Sequence, residues 1–112
     1  MNRLAGCLIL GMFGVAHAHA HLLQAMPAEG SVLTHSPASF AFKFNEAATL
    51  TALSLQKAGE PEQRLPIPES KAMTQISVAA PMLGPGSYTL TYRVLSDDHH
   101  IVSGHIQFKV SG

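Results

Sequence analysis

The amino-acid sequence predicts an all-β fold: an immunoglobulin-like antiparallel β-sandwich or Greek-key barrel of about seven strands. Three observations predict it. Large apolar side chains alternate with polar ones over Phe40–Phe44, Tyr88–Val94 and Ile106–Val110, the period-two signature of a strand with one buried face. Glycine- and proline-rich turns cut the rest of the chain at roughly regular intervals. The one stretch that competes for helix, Glu69–Ala80, carries β-branched Ile76 and Val78 and has no clear cap.

The elements follow in order. Met1 to Ala20 has a positive start at Arg3, an apolar run from Leu4 to Val15 and small residues after it, the layout of a secretory signal peptide. A buried helix there would have to carry Gly6, Gly11 and Gly14, each costing about 1 kcal/mol against alanine. Cys7 precedes the apolar run instead of closing it, which argues against lipidation. Small residues stand at the −3 and −1 positions as Gly14/Ala16, Ala16/Ala18 or Ala18/Ala20, so cleavage exposes His17, His19 or His21. Each cut leaves a histidine at the new terminus. We take residues 1–18 as the signal and 19–112 as a single mature domain.

Within that domain His21–Ala25 is a weaker strand, followed by the turn Pro27-Ala28-Glu29-Gly30. Phe40–Phe44 is a strong strand, Leu50–Gln56 a weaker one, and Lys57-Ala58-Gly59-Glu60-Pro61 the turn after it. Arg64–Ile67 reads as an edge strand in a polar, proline-rich loop from Lys57 to Lys71, and Met73–Ala79 as a further strand. Gly84-Pro85-Gly86 precedes Tyr88–Val94, and Ile106–Val110 closes the domain. Phe40, Phe42, Phe44, Tyr88, Leu90, Tyr92, Ile106, Phe108 and Val110 are the expected core.

Composition narrows the function. Seven basic and seven acidic groups balance, which removes the electrostatic case for nucleic acid. With 12% charged and 46% hydrophobic residues the chain is not of disordered type. No apolar run reaches the roughly 20 residues of a membrane span, so no membrane anchor is expected. Cleavage after Ala18 removes eighteen of 112 residues, leaving 94 and discarding Cys7, the one cysteine. The domain would then have no disulfide and no thiolate to offer a metal.

The abnormal count is histidine, with seven. Two groups stand out: the new terminus, His19-Ala20-His21, and Asp97-Asp98-His99-His100 with His105 beyond it, placed in an end loop between two strong strands. Surface histidines paired with neighbouring aspartates would account for the second group. A terminal histidine is different, because its α-amine and imidazole form a ready chelate. Imidazole or carboxylate from a second segment would complete a tetragonal nitrogen-and-oxygen set of the kind that favours Cu(II).

At these residues the chain resembles the CopC family of periplasmic copper-binding proteins. His19-Ala20-His21-Leu22 with Pro27-Ala28-Glu29-Gly30-Ser31 is similar to the mature start of that family. Phe42-Lys43-Phe44-Asn45-Glu46 resembles its early strand. Pro85 to Val94, Ser96, Asp98, His100, Gly104 and Phe108–Val110 resemble its most specific block. The resemblance implies one Cu(II) per chain, held by the amine and imidazole of His19, a carboxylate oxygen of Asp98 and the imidazole of His100, with His99 at the unconstrained middle position. It further implies copper sequestration, delivery or resistance without catalysis, and a partner in an inner-membrane copper transporter of the same pathway. Some members carry a methionine-rich Cu(I) loop, but Asn45–Ile67 holds no methionine, so a short, Cu(II)-only member is expected. Three alternatives stay open. One is a histidine-brace copper oxidase similar to the lytic monooxygenases. A second is a metal-free immunoglobulin-like interaction module. A third geometry wraps Cu(II) in the amine, two deprotonated amides and the His21 imidazole.

Overall fold

The structure is a computed structural model and describes residues 20–69 and 71–112; the signal segment and His19 lie outside the described residues. Seven strands are present and no helix among these residues: β1 (Leu22–Met26), β2 (Ser31–Leu33), β3 (Ser39–Lys57), β4 (Gln63–Arg64), β5 (Met73–Ala79), β6 (Gly86–Ser96) and β7 (Ile101–Val110). They hydrogen-bond in the order β1-β3-β6-β7-β2, with β4 and β5 also on β3. The all-β class is as the alternation predicts.

One strand organises the domain. The first part of β3 pairs antiparallel with β1 and β5, and its second part with β6 and β4. The sheet therefore curls on itself and closes around one core. Ala48 marks the change of layer, since it pairs with both Met73 of β5 and Ser96 of β6 and is fully buried. The layers meet through aromatic rings: Phe42 lies 5.4 Å from Tyr92, Phe44 lies 6.1 Å from Tyr92, and Phe40 lies 6.2 Å from Phe108. All nine expected core residues are buried. Each large side chain contributes about 1.5–3 kcal/mol by leaving water.

Four details differ from the expected elements. Phe40–Phe44 and Leu50–Gln56 are one continuous strand, not two. In its second part the buried positions run Leu50, Leu53, Leu55, because a bulge between Leu50 and Ala52 inserts a residue against β6 and shifts the alternation. The Thr51 hydroxyl at that bulge donates to the Arg93 carbonyl. A short strand, Ser31–Leu33, runs parallel to Phe108–Val110 where only a turn was expected. The edge strand near Arg64 is two residues long, although Leu65 after it is buried. Finally, β7 begins at Ile101, which places His105 inside a strand, exposed and opposite Thr91, and not in the end loop.

Candidate metal centre

The inward-facing positions of β6 run Tyr88, Leu90, Tyr92, Val94 and then Ser96, only 2% exposed and the one buried polar residue among those described. Ser96 closes the hairpin to β7. Its N–H donates to the His100 carbonyl at 2.9 Å, and its carbonyl accepts from the His99 N–H at 2.9 Å. Asp97 and Asp98 thus form the turn, and His99 follows with φ of 68°, in the left-handed region. This is the three-residue hairpin loop in which a turn is followed by a left-handed residue. Glycine is usual there, and histidine is among the side chains that enter the region more readily than most. His99 is the exposed tip.

The loop brings the two expected ligands together. The His100 Nδ1 lies 2.9 Å from Asp98 Oδ2, and the other carboxylate oxygen accepts a short hydrogen bond from the buried Ser96 hydroxyl. That hydroxyl lowers the Asp98 pKa to about 2, partial burial opposes the shift, and His100 adds to it. Asp98 is therefore an anion at every physiological pH. Facing that anion, His100 must carry its proton on Nδ1, so the lone pair of the neutral ring sits on Nε2, the nitrogen a metal would take. A carboxylate that orients a histidine in this way is a recurrent companion of metal sites. A metal on Nε2 lies across the ring from this carboxylate, so for Asp98 and His100 to share one metal their contact has to open and Asp98 has to turn an oxygen toward it.

The chain start approaches the same end of the sandwich. Ala20, the residue after His19, is 1% exposed and belongs to the core. His21 is tied to Asn45 twice: its N–H donates to Asn45 Oδ1 at 2.5 Å, and its carbonyl accepts from the Asn45 N–H at 3.0 Å. Asn45 precedes Ala48 by three residues, and Ala48 pairs with Ser96. At most about 10 Å of β3 therefore separates the point where it holds His21 from the point where it holds the hairpin.

Of the expected ligands, Asp98 and His100 are brought into contact, and His19 lies outside the described residues. No group of three histidine, cysteine, aspartate or glutamate side chains converges among the described residues, so the Asp98–His100 pair needs a donor from elsewhere to hold a metal. His35 takes no part in it: its Nδ1 lies 3.1 Å from the Thr34 hydroxyl. Sequence reasoning gave Ser96 and Asn45 no role. The sign for Ser96 was a polar residue at the last inward position of an apolar strand. For Asn45 there was none.

Known proteins place this architecture. The crystal structure of CopC from Methylosinus trichosporium OB3b superposes with a TM-score of 0.69 at 27% identity, covering 83% of this chain and 94% of that one. PcoC, a methionine-rich copper resistance protein from Escherichia coli, shares the fold with a TM-score of 0.58 at 22% identity, over 84% of this chain and all of that one. Protein YobA of Escherichia coli K12 is 30% identical over 98 residues, spanning 83% of this chain and 79% of YobA. The CopC domain model matches residues 22–111, from the start of β1 to just past the end of β7, and the chain belongs to the CopC family.

Proposed function

We propose that this is a periplasmic Cu(II)-binding protein that sequesters or delivers copper without turnover. Residues 1–18 direct export and are removed, and the mature chain begins at His19. One Cu(II) is held by the amine and imidazole of His19, by Asp98 and by His100, and an inner-membrane copper transporter is the partner for exchange.

The observation that carries this reading is the Asp98–His100 pair, held at 2.9 Å at the end of the sandwich where the chain starts. An ionised carboxylate and an imidazole stand side by side there, at the end where a terminal histidine would add two nitrogens. Such a nitrogen-rich set suits Cu(II) ahead of Zn(II), and it is too rich in nitrogen for calcium or magnesium. The His21–Asn45 bonds argue against the alternative N-terminal wrap. That geometry needs the His21 amide nitrogen as a ligand, and here the amide donates to the Asn45 side chain just ahead of β1. It would also draw Ala20 out of the core.

His100→Ala is the test. Removing one imidazole should weaken Cu(II) by at least about tenfold, which is about 1.4 kcal/mol, and should alter the electron paramagnetic resonance spectrum through loss of a nitrogen donor. If affinity and spectrum survive His100→Ala but vanish with His21→Ala, copper sits in the N-terminal wrap and the proposed site is wrong.

A further inference from the structure

We propose that the outer face of the sheet formed by β4, β3, β6 and β7 carries a site for a small oxyanion, a carboxylate or a phosphate, held between Arg64 and Arg93. They are the two arginines of residues 19–112. Both line one cavity of about 300 Å³, together with Ser54, Glu62, Thr91 and Ser103. Strand pairing explains why they meet. Arg64 stands opposite Ser54, and Ser54 opposite Thr91, so the three form one row across β4, β3 and β6. Arg93 lies two residues from Thr91 on β6 and so on the same face, with Ser103 opposite it on β7. On strand spacing the two arginine Cα atoms are about 12 Å apart, with the row of hydroxyls between them. The bulge beside Ala52, opposite Arg93, bends β3 where it forms the floor of the cavity.

The charges favour an anion. Neither guanidinium has an ion-pair or hydrogen-bond partner among the described residues, and the same holds for the Thr91 and Ser103 hydroxyls. Glu62 is the one acid in the lining, and it is already engaged, since its Oε2 accepts from the Ser54 hydroxyl at 2.6 Å. Two guanidiniums against one carboxylate leave one positive charge. A guanidinium presents its N–H groups as a rigid fork that matches two oxygens of a carboxylate or phosphate. The Thr91 and Ser103 hydroxyls can donate to the remaining oxygens. The volume is at the small end for ligand sites, and Glu62 repels excess negative charge, so a small anion fits and a large polyanion does not.

The test uses the metal-free chain from His19 to Gly112, so its outcome is independent of the copper site. Inorganic phosphate and, separately, succinate are titrated at constant ionic strength held with sodium chloride, because salt alone screens exposed charges. Nitrogen-15 spectra should show saturating shifts at the Arg64 and Arg93 side chains and at the Thr91 and Ser103 amides, half complete at or below about 10 mM. The anion that saturates at lower concentration names the class. Arg64→Gln and Arg93→Gln should each raise the midpoint at least about fivefold, and Glu62→Gln should lower it. Lys43→Gln, which removes the same charge elsewhere on the surface, should leave it unchanged. Shifts that never saturate, or that centre on Asp98 and His100, overturn the proposal. So does a midpoint that Lys43→Gln moves as far as Arg93→Gln does. Saturation by a glutamate-rich peptide but by neither small anion also overturns it, in favour of a protein-docking face.

Discussion

Gly104 lies in β7 directly opposite Tyr92 of β6, and its replacement by alanine should unsettle the aromatic centre of the domain. An added Cβ would stand 2.6 Å from Tyr92 Cζ and 3.0 Å from Cε2, and closer still to the hydroxyl oxygen. These are separations that real contacts do not reach, so the ring must move. Its escape is blocked on the core side by Phe42 at 5.4 Å and Phe44 at 6.1 Å. Overpacking of this kind costs about 1–3 kcal/mol, and disturbing an aromatic pair adds about 0.5–1.5 kcal/mol. Removing a glycine from a strand returns about 0.5–1 kcal/mol through reduced backbone entropy. The net expectation is a loss of about 1.5–3 kcal/mol, which in a domain of this size lowers Tm by roughly 10–20 °C. Thermal unfolding followed by circular dichroism measures it. In a Tyr92→Leu background, where there is no ring to strike, the same substitution should cost less than about 0.5 kcal/mol, so the two sites should be strongly coupled. An equal cost in both backgrounds, or a Gly104→Ala protein as stable as the wild type, would refute the steric argument.

Three further outcomes are expected. Intact-mass measurement of exported protein should give a chain beginning at His19, and one extra residue before it should weaken Cu(II) by at least about tenfold, because the amine becomes an amide; unaltered affinity would remove the amine from the site. In competition the protein should take one Cu(II) per chain ahead of Zn(II) and Ni(II), and Cu(I) only weakly; a tight Cu(I) site would make a ligand of the exposed Met73 or Met82. Burial raises the Tyr92 pKa above its ordinary value of 10.0, so its protonated form contributes stability that is fully present below about pH 10 and is lost as pH rises toward the higher folded value. Chemical denaturation from pH 8 to 11 should show that decline in the wild type and a shallower one in Tyr92→Phe; parallel declines would assign it to other groups.

The strands that sequence alone made legible are those whose two faces differ most. Phe40–Phe44, Tyr88–Val94 and Ile106–Val110 carry large apolar residues at every second position, and burial leaves them no other register. The number seven agrees partly through differences that cancel, since β3 absorbs two expected strands and β2 supplies another. The fusion was hidden because the bulge at Thr51 breaks the alternation, and a bulge is specified by pairing with Arg93, which lies 42 residues away. Ser31–Leu33 was hidden because it is short, lies beside turn residues and owes its pairing to β7. The site divides along the same line. The family resemblance, counted back from Gly104, singled out Asp98 and His100, and the structure brings that pair into contact. Ser96 has no role that its sequence neighbourhood reveals, because a serine near a turn looks like any loop residue until its burial is known. Asn45 acts on His21 from 24 positions away, and no local pattern encodes that contact.

Under the proposed processing, the burial of Ala20 sets how the new terminus would be held. Because that methyl group is lodged in the core, the amine of a chain starting at His19 can lie only one Cα step, 3.8 Å, from a fixed anchor. A cut after Ala16 would put two more residues on the tether and let the amine wander up to about 7 Å farther. A cut after Ala20 would remove the anchor and place the amine on His21, at the nitrogen that now bonds Asn45. Three cleavage products that differ by two residues each would thus be one short-leashed chelate, one loose one, and one whose amine is engaged with Asn45. The leader peptidase's choice of bond would decide how much local concentration of amine the metal meets, before any copper arrives.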